Sequence, residues 1–192
     1  MTRMVLLGPP GAGKGTQAAR ICERLSIPAI STGDIFRANV SRGTGLGERA
    51  RQYMDRGEYV PDSVTNAMVA DRLTEADAAQ GFLLDGYPRT EAQVHELDAM
   101  LADSGLALDV VLEITADAEV VVDRLLRRAT EQNRADDTEP VIRRRLEVYA
   151  EATAPLASLY EDRGLLVRVD GTGDVDEVTE RIMTALASRT TA

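Results

Sequence analysis

Residues 4–16 read MVLLGPPGAGKGT, a short apolar run that leads into a glycine-rich loop with Lys14 near its end. The run Met4–Leu7 predicts a buried strand, and the pattern of residues 14–25 predicts a helix. Glycines let backbone N–H groups turn inward around phosphate oxygens, because no Cβ obstructs the approach. The start of the helix adds partial positive charge. Strand, loop and helix together predict a P-loop, in which Lys14 reaches the outer phosphates of a nucleotide.

The end of this loop departs from the plain P-loop pattern. Gly15 stands where Ser or Thr usually binds magnesium, and Thr16 comes one position later. We therefore expect Mg²⁺ to be held mainly through water, which suits its reluctance to dehydrate. Asp85, which ends the apolar run 82–84, is the candidate to reach the ion through such a water.

Charge and composition exclude several classes of protein. The formal net charge is −10, which disfavours a nucleic-acid partner. Of the 22 basic residues Lys14 is the one lysine, so a steric need for its compact ammonium inside the loop is favoured over chance. A single cysteine, Cys22, excludes an intramolecular disulfide and a multi-cysteine zinc site, and its helical position predicts a small core residue.

The chain shows no targeting or membrane signal. No apolar run approaches the roughly 20 residues that a membrane span needs. The first residues, MTRM, run straight into the strand pattern without a signal-peptide cleavage site. We therefore expect a cytoplasmic chain with no membrane partner.

Short apolar runs alternate with longer amphipathic stretches along the chain, at 4–7, 28–31, 81–85, 108–114 and 165–169. Such alternation predicts an α/β fold, a three-layer P-loop sandwich with a central, about five-stranded parallel sheet. Ligands bind beyond the carboxyl ends of the strands in such sheets. Three of the predicted strands end at Gly8, Ser31 and Asp85, which places these residues near a ligand.

Two stretches interrupt the alternation. Residues 31–60 hold helical patterns without a strand and look like an insertion standing off the sheet. Residues 129–138 are polar, join two Arg-rich helices and predict a short lid. We therefore predict a single domain over 1–192, whose core comprises residues 1–30, 61–128 and 139–192.

Two further motifs predict anion contacts beside the P-loop. After Asp85 the chain reads GYPRT, in which Gly86 allows close approach and Pro88 stiffens the turn, so Arg89 is aimed above the strand ends. After the second strand the segment 31–37 offers hydroxyls and an Arg near a second anion site. A role for Ser31 or Thr32 as a helix cap alone remains open.

Arginines cluster in the second half of the chain. Arg124 and Arg128 lie four residues apart on one predicted helix, where like charges cost roughly 0.2–0.5 kcal/mol unless an anion lies between them. Arg134 falls in the polar loop, and the run 143–145 opens the next helix. Three consecutive Arg cannot all face one site, so at least one of them is solvated. A solvated face remains an alternative for the whole run.

In order and spacing, these motifs resemble the adenylate kinase family from Gly8 to about Gly173. The lid is similar to that of the short-lid members, and without cysteines it excludes zinc. The resemblance implies reversible phosphoryl transfer from Mg-ATP to AMP, giving two ADP, by a monomer. Tyr87 stands where Phe is common in the family.

The resemblance also implies individual roles. The catalytic set would be Lys14, Arg89, Arg124, Arg134 and Arg145. ATP would be bound by Gly11, Ala12, Gly13, Lys14, Gly15, Thr16 and Arg128, with Gly173 at its adenine. AMP would be bound by Thr32, Arg37, Glu58, Tyr59, Val60, Gly86, Tyr87, Pro88, Arg89, Gln93, Arg134 and Arg145, with Gln93 reading the adenine edge.

Other functions stay open on the sequence alone. A UMP/CMP kinase would share the P-loop and the Arg cluster, and base choice rests on few contacts. A nucleotide-dependent switch would use the P-loop without a second nucleotide. The sequence offers no nucleophile or general base, and the one histidine, His95, is predicted to be exposed. Phosphoryl transfer needs positioning and charge neutralisation more than covalent chemistry, which fits this lack.

Overall fold

A parallel β-sheet forms the centre of the molecule. The computed structural model describes residues 2–117, 120–122, 124–126 and 138–190. In these ranges the strands are β1 Thr2–Leu7, β2 Ala29–Ser31, β3 Gly81–Asp85, β4 Val110–Thr115 and β5 Leu166–Asp170. They pair in parallel in the order β2-β3-β1-β4-β5. The predicted α/β class with a five-stranded parallel sheet is confirmed, with strand ends shifted by one or two residues.

Helices connect the strands and cover the sheet. They are α1 Lys14–Leu25, α2 Thr32–Ser41, α3 Gly45–Met54, α4 Asp62–Leu73, α5 Glu91–Ala102, α6 Glu139–Val148, α7 Pro155–Asp162 and α8 Val175–Thr190, with a short 3₁₀ helix at Ala76–Gln80. Residues 120–122 and 124–126 are helical as well. None of the helices in these ranges combines the length and apolar content that a bilayer-spanning helix requires.

Both faces of the sheet are buried, as a parallel sheet requires. In β1 the alternate residues Val5 and Leu7 pack into one core, whereas Met4 and Leu6 pack into the other. Cys22 lies in the second core and is 8% exposed, as predicted for a small core residue. The apolar run of β1 therefore reflects burial on two sides.

Strand register brings the predicted ligand-binding residues to one edge. Leu6 of β1 and Ser31 of β2 both pair with Asp85 of β3. The P-loop follows β1 immediately, so it emerges beside Ser31 and Asp85. One edge of the sheet thus gathers the three strand ends that the sequence singled out.

Helices α2 and α3 pack around a small core of their own. Phe36, Ala50 and Val60 are buried there, apart from the two cores of the sheet. Gly47 lets the two helices approach closely, because a Cβ built on it would lie 2.2 Å from the backbone oxygen of Asn39. The separate core suits an insertion, although the predicted domain limits remain a prediction.

The helix that contains the arginine run 143–145 is followed by an irregular turn. A π turn at Tyr149–Thr153 separates α6 from α7, and the N–H of Ala154 bonds to the carbonyl of Tyr149 at 2.8 Å. Pro155 explains the change. It has no N–H to donate, and in a regular helix its ring would clash with the carbonyl of the residue four positions earlier. Ile142 before the turn and Leu156 and Tyr160 after it are buried.

Candidate active site

Two cavities open at the carboxyl edge of the sheet and share part of their walls. The P-loop cavity is lined by residues 10–17 together with Asp85, Arg124, Gly171 and Gly173. The insertion cavity is lined by Phe36, residues 57–60, Pro88, Gln93, Tyr149 and Thr153. Both cavities are lined by Pro10, Lys14, Gly33, Arg37, Gly86, Arg89 and Arg145. Four cationic side chains therefore lie on the boundary between the two spaces.

The P-loop presents an uncapped helix start. Gly13 precedes α1 with φ 94°, in the left-handed region that favours glycine, and no side chain in the described part of the chain caps the helix. The first N–H groups of α1 are therefore open to an anion. Lys14 directs its ammonium into the loop, where Nζ donates to the carbonyl oxygens of Gly8 at 2.7 Å and Pro9 at 3.0 Å.

The turn after β3 is built around Gly86. Its carbonyl oxygen accepts from Thr32 Oγ1 at 2.8 Å and from Arg89 Nε at 2.7 Å. Gly86 itself has φ 83°, and a Cβ there would lie 2.7 Å from Thr32 Oγ1 and 2.8 Å from Arg89 Nη2. Only glycine fits this turn without displacing Arg89.

A buried polar network supports Arg89 from behind. The backbone N–H of Arg89 donates to Gln93 Oε1 at 2.7 Å, and Gln93 Nε2 donates to Asp62 Oδ1 at 2.7 Å. Thr90 Oγ1 donates to the other oxygen of Asp62 at 3.0 Å. Gln93 is 1% exposed and still lines the insertion cavity. Nothing in the sequence singles out Asp62, because an Asp in the first turn of a helix is common and carries no functional signal.

A second contact to Arg89 comes from Tyr59 and Thr153. The Arg89 guanidinium carbon lies 4.8 Å from the centre of the Tyr59 ring. Tyr59 Oη lies 2.7 Å from Thr153 Oγ1, which donates to the carbonyl of Arg89 at 2.8 Å. Thr153 was missed by the sequence analysis, because its position depends on the π turn before Pro155.

Arg124 anchors the other end of the P-loop cavity. Its guanidinium donates to the carbonyls of Ala12 at 3.5 Å and Gly171 at 3.3 Å, and so bridges the P-loop and the loop after β5. That loop is ordered by the Thr172 N–H, which donates to Asp170 Oδ1 at 2.9 Å. Hydrogen bonding to Thr172 holds the pKa of the Asp170 carboxyl below its ordinary value.

The three consecutive arginines of α6 point different ways. Arg143 pairs with Glu139 at 2.8 Å and its side chain is 71% exposed. Arg144 pairs with Glu147 at 3.2 Å. Arg145 alone of the three lines the two cavities. The prediction that at least one of these three arginines is solvated is confirmed, because Arg143 is exposed.

Most of the predicted site residues lie on the cavities. The exception is Tyr87, which is 1% exposed and whose hydroxyl donates to Asn66 Oδ1 at 2.9 Å. Burial raises the pKa of the Tyr87 hydroxyl. Its side chain supports the turn from the core. Arg128, Arg134 and the predicted lid up to residue 137 lie outside the described residues. His95 is on the surface, near Glu91.

Magnesium would find few protein ligands here. Among the residues described, no group of three His, Cys, Asp or Glu side chains is placed to hold a metal ion. Asp85 and Thr16 both line the P-loop cavity. So small a set of oxygen ligands suits an ion that keeps several waters and is bound mostly through phosphates.

Known proteins with this sequence pattern are numerous. Residues 6–165 match the protein family described as adenylate kinase. A curated protein named adenylate kinase from Kocuria rhizophila is 66% identical over 186 residues, which is 97% of this chain and 99% of that protein. The corresponding protein from Thermobifida fusca is 63% identical over 97% of this chain and 99% of its own length. One from Pseudarthrobacter chlorophenolicus is 61% identical over 97% of both.

The P-loop cavity, the adjoining cavity and the cationic boundary between them are thus found in a chain whose relatives match it from end to end. The chain belongs to the adenylate kinase family of ATP:AMP phosphotransferases.

Proposed function

We propose that the P-loop cavity binds ATP, that the insertion cavity binds AMP, and that the phosphates of both nucleotides meet at the boundary. The family reaction is the reversible conversion of ATP and AMP into two ADP. One observation carries this placement: Lys14, Arg37, Arg89 and Arg145 each line both cavities. Two polyanions can approach end to end only where their charge is compensated.

Positioning accounts for the chemistry. An oxygen of the AMP phosphate attacks the γ-phosphorus of ATP in line, and the bond from that phosphorus to the β,γ-bridging oxygen breaks. ADP forms on both sides, so no general base is required. The boundary cations and Arg124 stabilise the charge on the transferred group and the departing oxygen.

Magnesium, when bound with ATP, neutralises phosphate charge. Asp85 would hold it through water, and Thr16 lines the same cavity. Asp34 and Asp85 are the carboxylates among the described residues of this lining, too few for a protein cage, which is consistent with an ion delivered together with its nucleotide.

Closure is the natural response to this charge distribution. Like charges on the boundary repel one another, and of these Arg37 is partly compensated by Asp34 at 2.6 Å, so an open state without nucleotides and a closed state with both are expected. We propose that the insertion 31–60 and the lid 129–138 move against the core. Closing would also exclude water, which would otherwise take the phosphoryl group.

The acceptor base lies at the far end of the insertion cavity in this arrangement. Glu58 to Val60 and Gln93 line the cavity, and the backbone of residues 58–60 and the Gln93 side chain would contact the ribose and base. The Asp62 carboxylate can only accept hydrogen bonds and the Arg89 N–H can only donate one, so the Gln93 amide is held in one orientation. Adenine offers a donor beside an acceptor, which such an amide can match. We expect a cytoplasmic monomer.

A coupled assay for ADP tests the proposal. Wild-type protein with Mg-ATP should form ADP rapidly when AMP is added, and slowly with CMP, UMP or GMP. A Lys14→Ala variant should lose several orders of magnitude in turnover with an unchanged unfolding transition, by analogy with the roughly 10²–10³-fold loss for one oxyanion donor. ATP hydrolysis that ignores AMP would instead indicate a nucleotide switch. Preference for CMP or UMP would indicate the pyrimidine kinase.

A further inference from the structure

We infer that Tyr59 and Thr153 are positioning residues that fix the orientation of Arg89 towards the acceptor phosphate. The inference rests on the proposed function, in which Arg89 lies where the two nucleotides meet. Neither side chain need touch the transferred group. Both act through contacts to the guanidinium or the backbone of Arg89.

The first contact holds the guanidinium over the Tyr59 ring. Its carbon lies 4.8 Å from the centre of that ring, and Nε donates to the Gly86 carbonyl at 2.7 Å. A cation over an aromatic face is attracted by the ring quadrupole. In the described ranges, no acceptor is hydrogen-bonded to the two terminal nitrogens of Arg89. These are the nitrogens that bind a phosphate in a bidentate manner.

The second contact fixes the backbone of the same residue. A threonine hydroxyl has one proton, and Thr153 uses it to donate to the Arg89 carbonyl at 2.8 Å. The 2.7 Å contact between the two hydroxyls must therefore carry the Tyr59 proton to Thr153. Thr153 is 4% exposed, so little water is available to replace either bond. With the Arg89 N–H held by Gln93, both backbone polar groups of Arg89 are fixed.

This arrangement links distant parts of the chain. Tyr59 lies near the end of the predicted insertion, 94 residues before Thr153, which ends the π turn. A movement of the insertion away from the core would separate the ring from Arg89 and break the bond between the hydroxyls. The orientation of Arg89 therefore depends on the position of the insertion.

Four variants test the inference, with kinetics measured separately for each nucleotide. Thr153→Val should lower kcat/KM for AMP about tenfold, as expected when a hydrogen bond of the usual strength is lost from a transition-state contact. The KM for ATP should change by less than about twofold, since the P-loop amides and Lys14 stay in place. Thr153→Ser should restore kcat/KM to within about twofold of wild type, because the hydroxyl returns.

The tyrosine variants separate the ring from the hydroxyl. Tyr59→Phe should lower kcat/KM for AMP as much as Thr153→Val does. The double variant should lose no more than either single variant, because both changes break the same chain of hydrogen bonds from Tyr59 through Thr153 to Arg89. Tyr59→Leu removes the ring as well and should lose a further factor of about three to ten, the range expected for a cation–π contact. Tyr160→Phe is the control, because it removes a phenolic hydroxyl that is buried and has no hydrogen-bond partner among the described residues, and it should leave the kinetics unchanged.

The outcomes distinguish this inference from the proposed function. An Arg89→Lys variant with wild-type kinetics would overturn the role of Arg89 and the inference with it. If Arg89→Lys is severely impaired while Thr153→Val and Tyr59→Phe only lower the unfolding temperature, the inference alone is overturned. Loss of kcat/KM for AMP in both variants, with rescue by Thr153→Ser, supports it.

Discussion

Thr32 and Arg89 share a single acceptor, the carbonyl oxygen of Gly86, with donor distances of 2.8 Å from Thr32 Oγ1 and 2.7 Å from Arg89 Nε. One backbone oxygen thus joins the start of α2 to the arginine above β3. The pairing of Ser31 with Asp85 in the sheet makes this possible, because it brings the two strand ends level. A substitution at residue 86 should therefore disturb both Thr32 and Arg89.

Gly86→Ala should disturb the site more than the fold. The new Cβ would lie within 2.8 Å of Thr32 Oγ1 and Arg89 Nη2, and the backbone has φ 83°. We expect a loss of roughly 1–3 kcal/mol in the free energy of unfolding from the strained backbone. Displacement of Arg89 by about 1 Å should lower kcat/KM for AMP about 100-fold. Urea unfolding and steady-state kinetics measure the two effects.

Gly105→Ala is its matched control. Gly105 also has positive φ, 68°, but a Cβ there meets no atom within 4 Å. The variant should lose roughly 1–2 kcal/mol of stability from the left-handed backbone alone and keep normal kinetics. Equal kinetic losses in both variants would mean that strain, not the contact with Arg89, limits activity.

Arg145→Ala should reduce activity far more than Arg143→Ala. Arg145 lines both cavities, whereas Arg143 is paired with Glu139 on the surface. Loss of one cation from the transition state should lower kcat about 10²–10³-fold, as for a single oxyanion donor. Loss of an exposed ion pair costs at most about 1 kcal/mol of stability and no activity. Steady-state assays of both variants measure the difference in kcat. Similar rates for the two variants would show that Arg145 has no special role in the mechanism.

Two glycines of α3 should respond in opposite directions to alanine. A Cβ on Gly47 would lie 2.2 Å from the Asn39 carbonyl oxygen, whereas one on Gly45 meets nothing within 4 Å. Gly47→Ala should force α2 and α3 apart and cost about 1–3 kcal/mol. Gly45→Ala should be neutral or stabilise by up to about 1 kcal/mol, because alanine favours the helix. Thermal unfolding compares them, and equal effects would show that close helix contact is unimportant here.

Cys22 should make stability fall at high pH. Burial raises the pKa of its thiol from 9.0 to about 11. Below pH 9 the thiol is mostly protonated in both the folded and the unfolded protein, so it makes its full contribution to the free energy of unfolding. Between about 9 and 11 the unfolded chain releases the proton first, and stability falls. Near pH 10.5 the loss should be about 1–2 kcal/mol by linkage.

The Cys22→Ala variant isolates this effect, since other groups also titrate in alkali. Urea unfolding of both proteins at about pH 8 and pH 10.5 gives the difference due to the thiol. An identical decline in both proteins would show that Cys22 ionises as readily when folded as when unfolded.

Local chemistry explains why many elements could be predicted from sequence. Helix α1 runs from Lys14 to Leu25 as expected, because residues with positive φ, Gly13 and Ser26, flank it. Helix α2 begins at Thr32, where the Ser31 hydroxyl accepts from the Asp34 N–H. Apolar runs buried on two sides marked the strands. These signals all lie within a few residues of the element that they determine.

Contacts between residues far apart in the chain could not be predicted from the sequence. Nothing local indicates that Arg145 faces the cavities while Arg143 and Arg144 do not, since helix phase and partner position decide it. The contact between Tyr59 and Thr153 depends on a π turn and on residues 94 positions apart. The buried bond between Gln93 and Asp62 likewise joins two helices. Only the folded arrangement brings such pairs together.

Strand order has a consequence for protein engineering. Strand β1, which carries the P-loop, occupies the middle of the sheet, while β2 and β5 form its margins. The segments expected to recognise the two bases are attached at those margins, one after β2 and one after β5. A new segment grafted after β5 would leave Arg37, Arg89 and Arg145 in place, whereas one grafted after β2 would have to keep Thr32, Arg37 and Tyr59. Donor preference should therefore be easier to alter by grafting than acceptor preference.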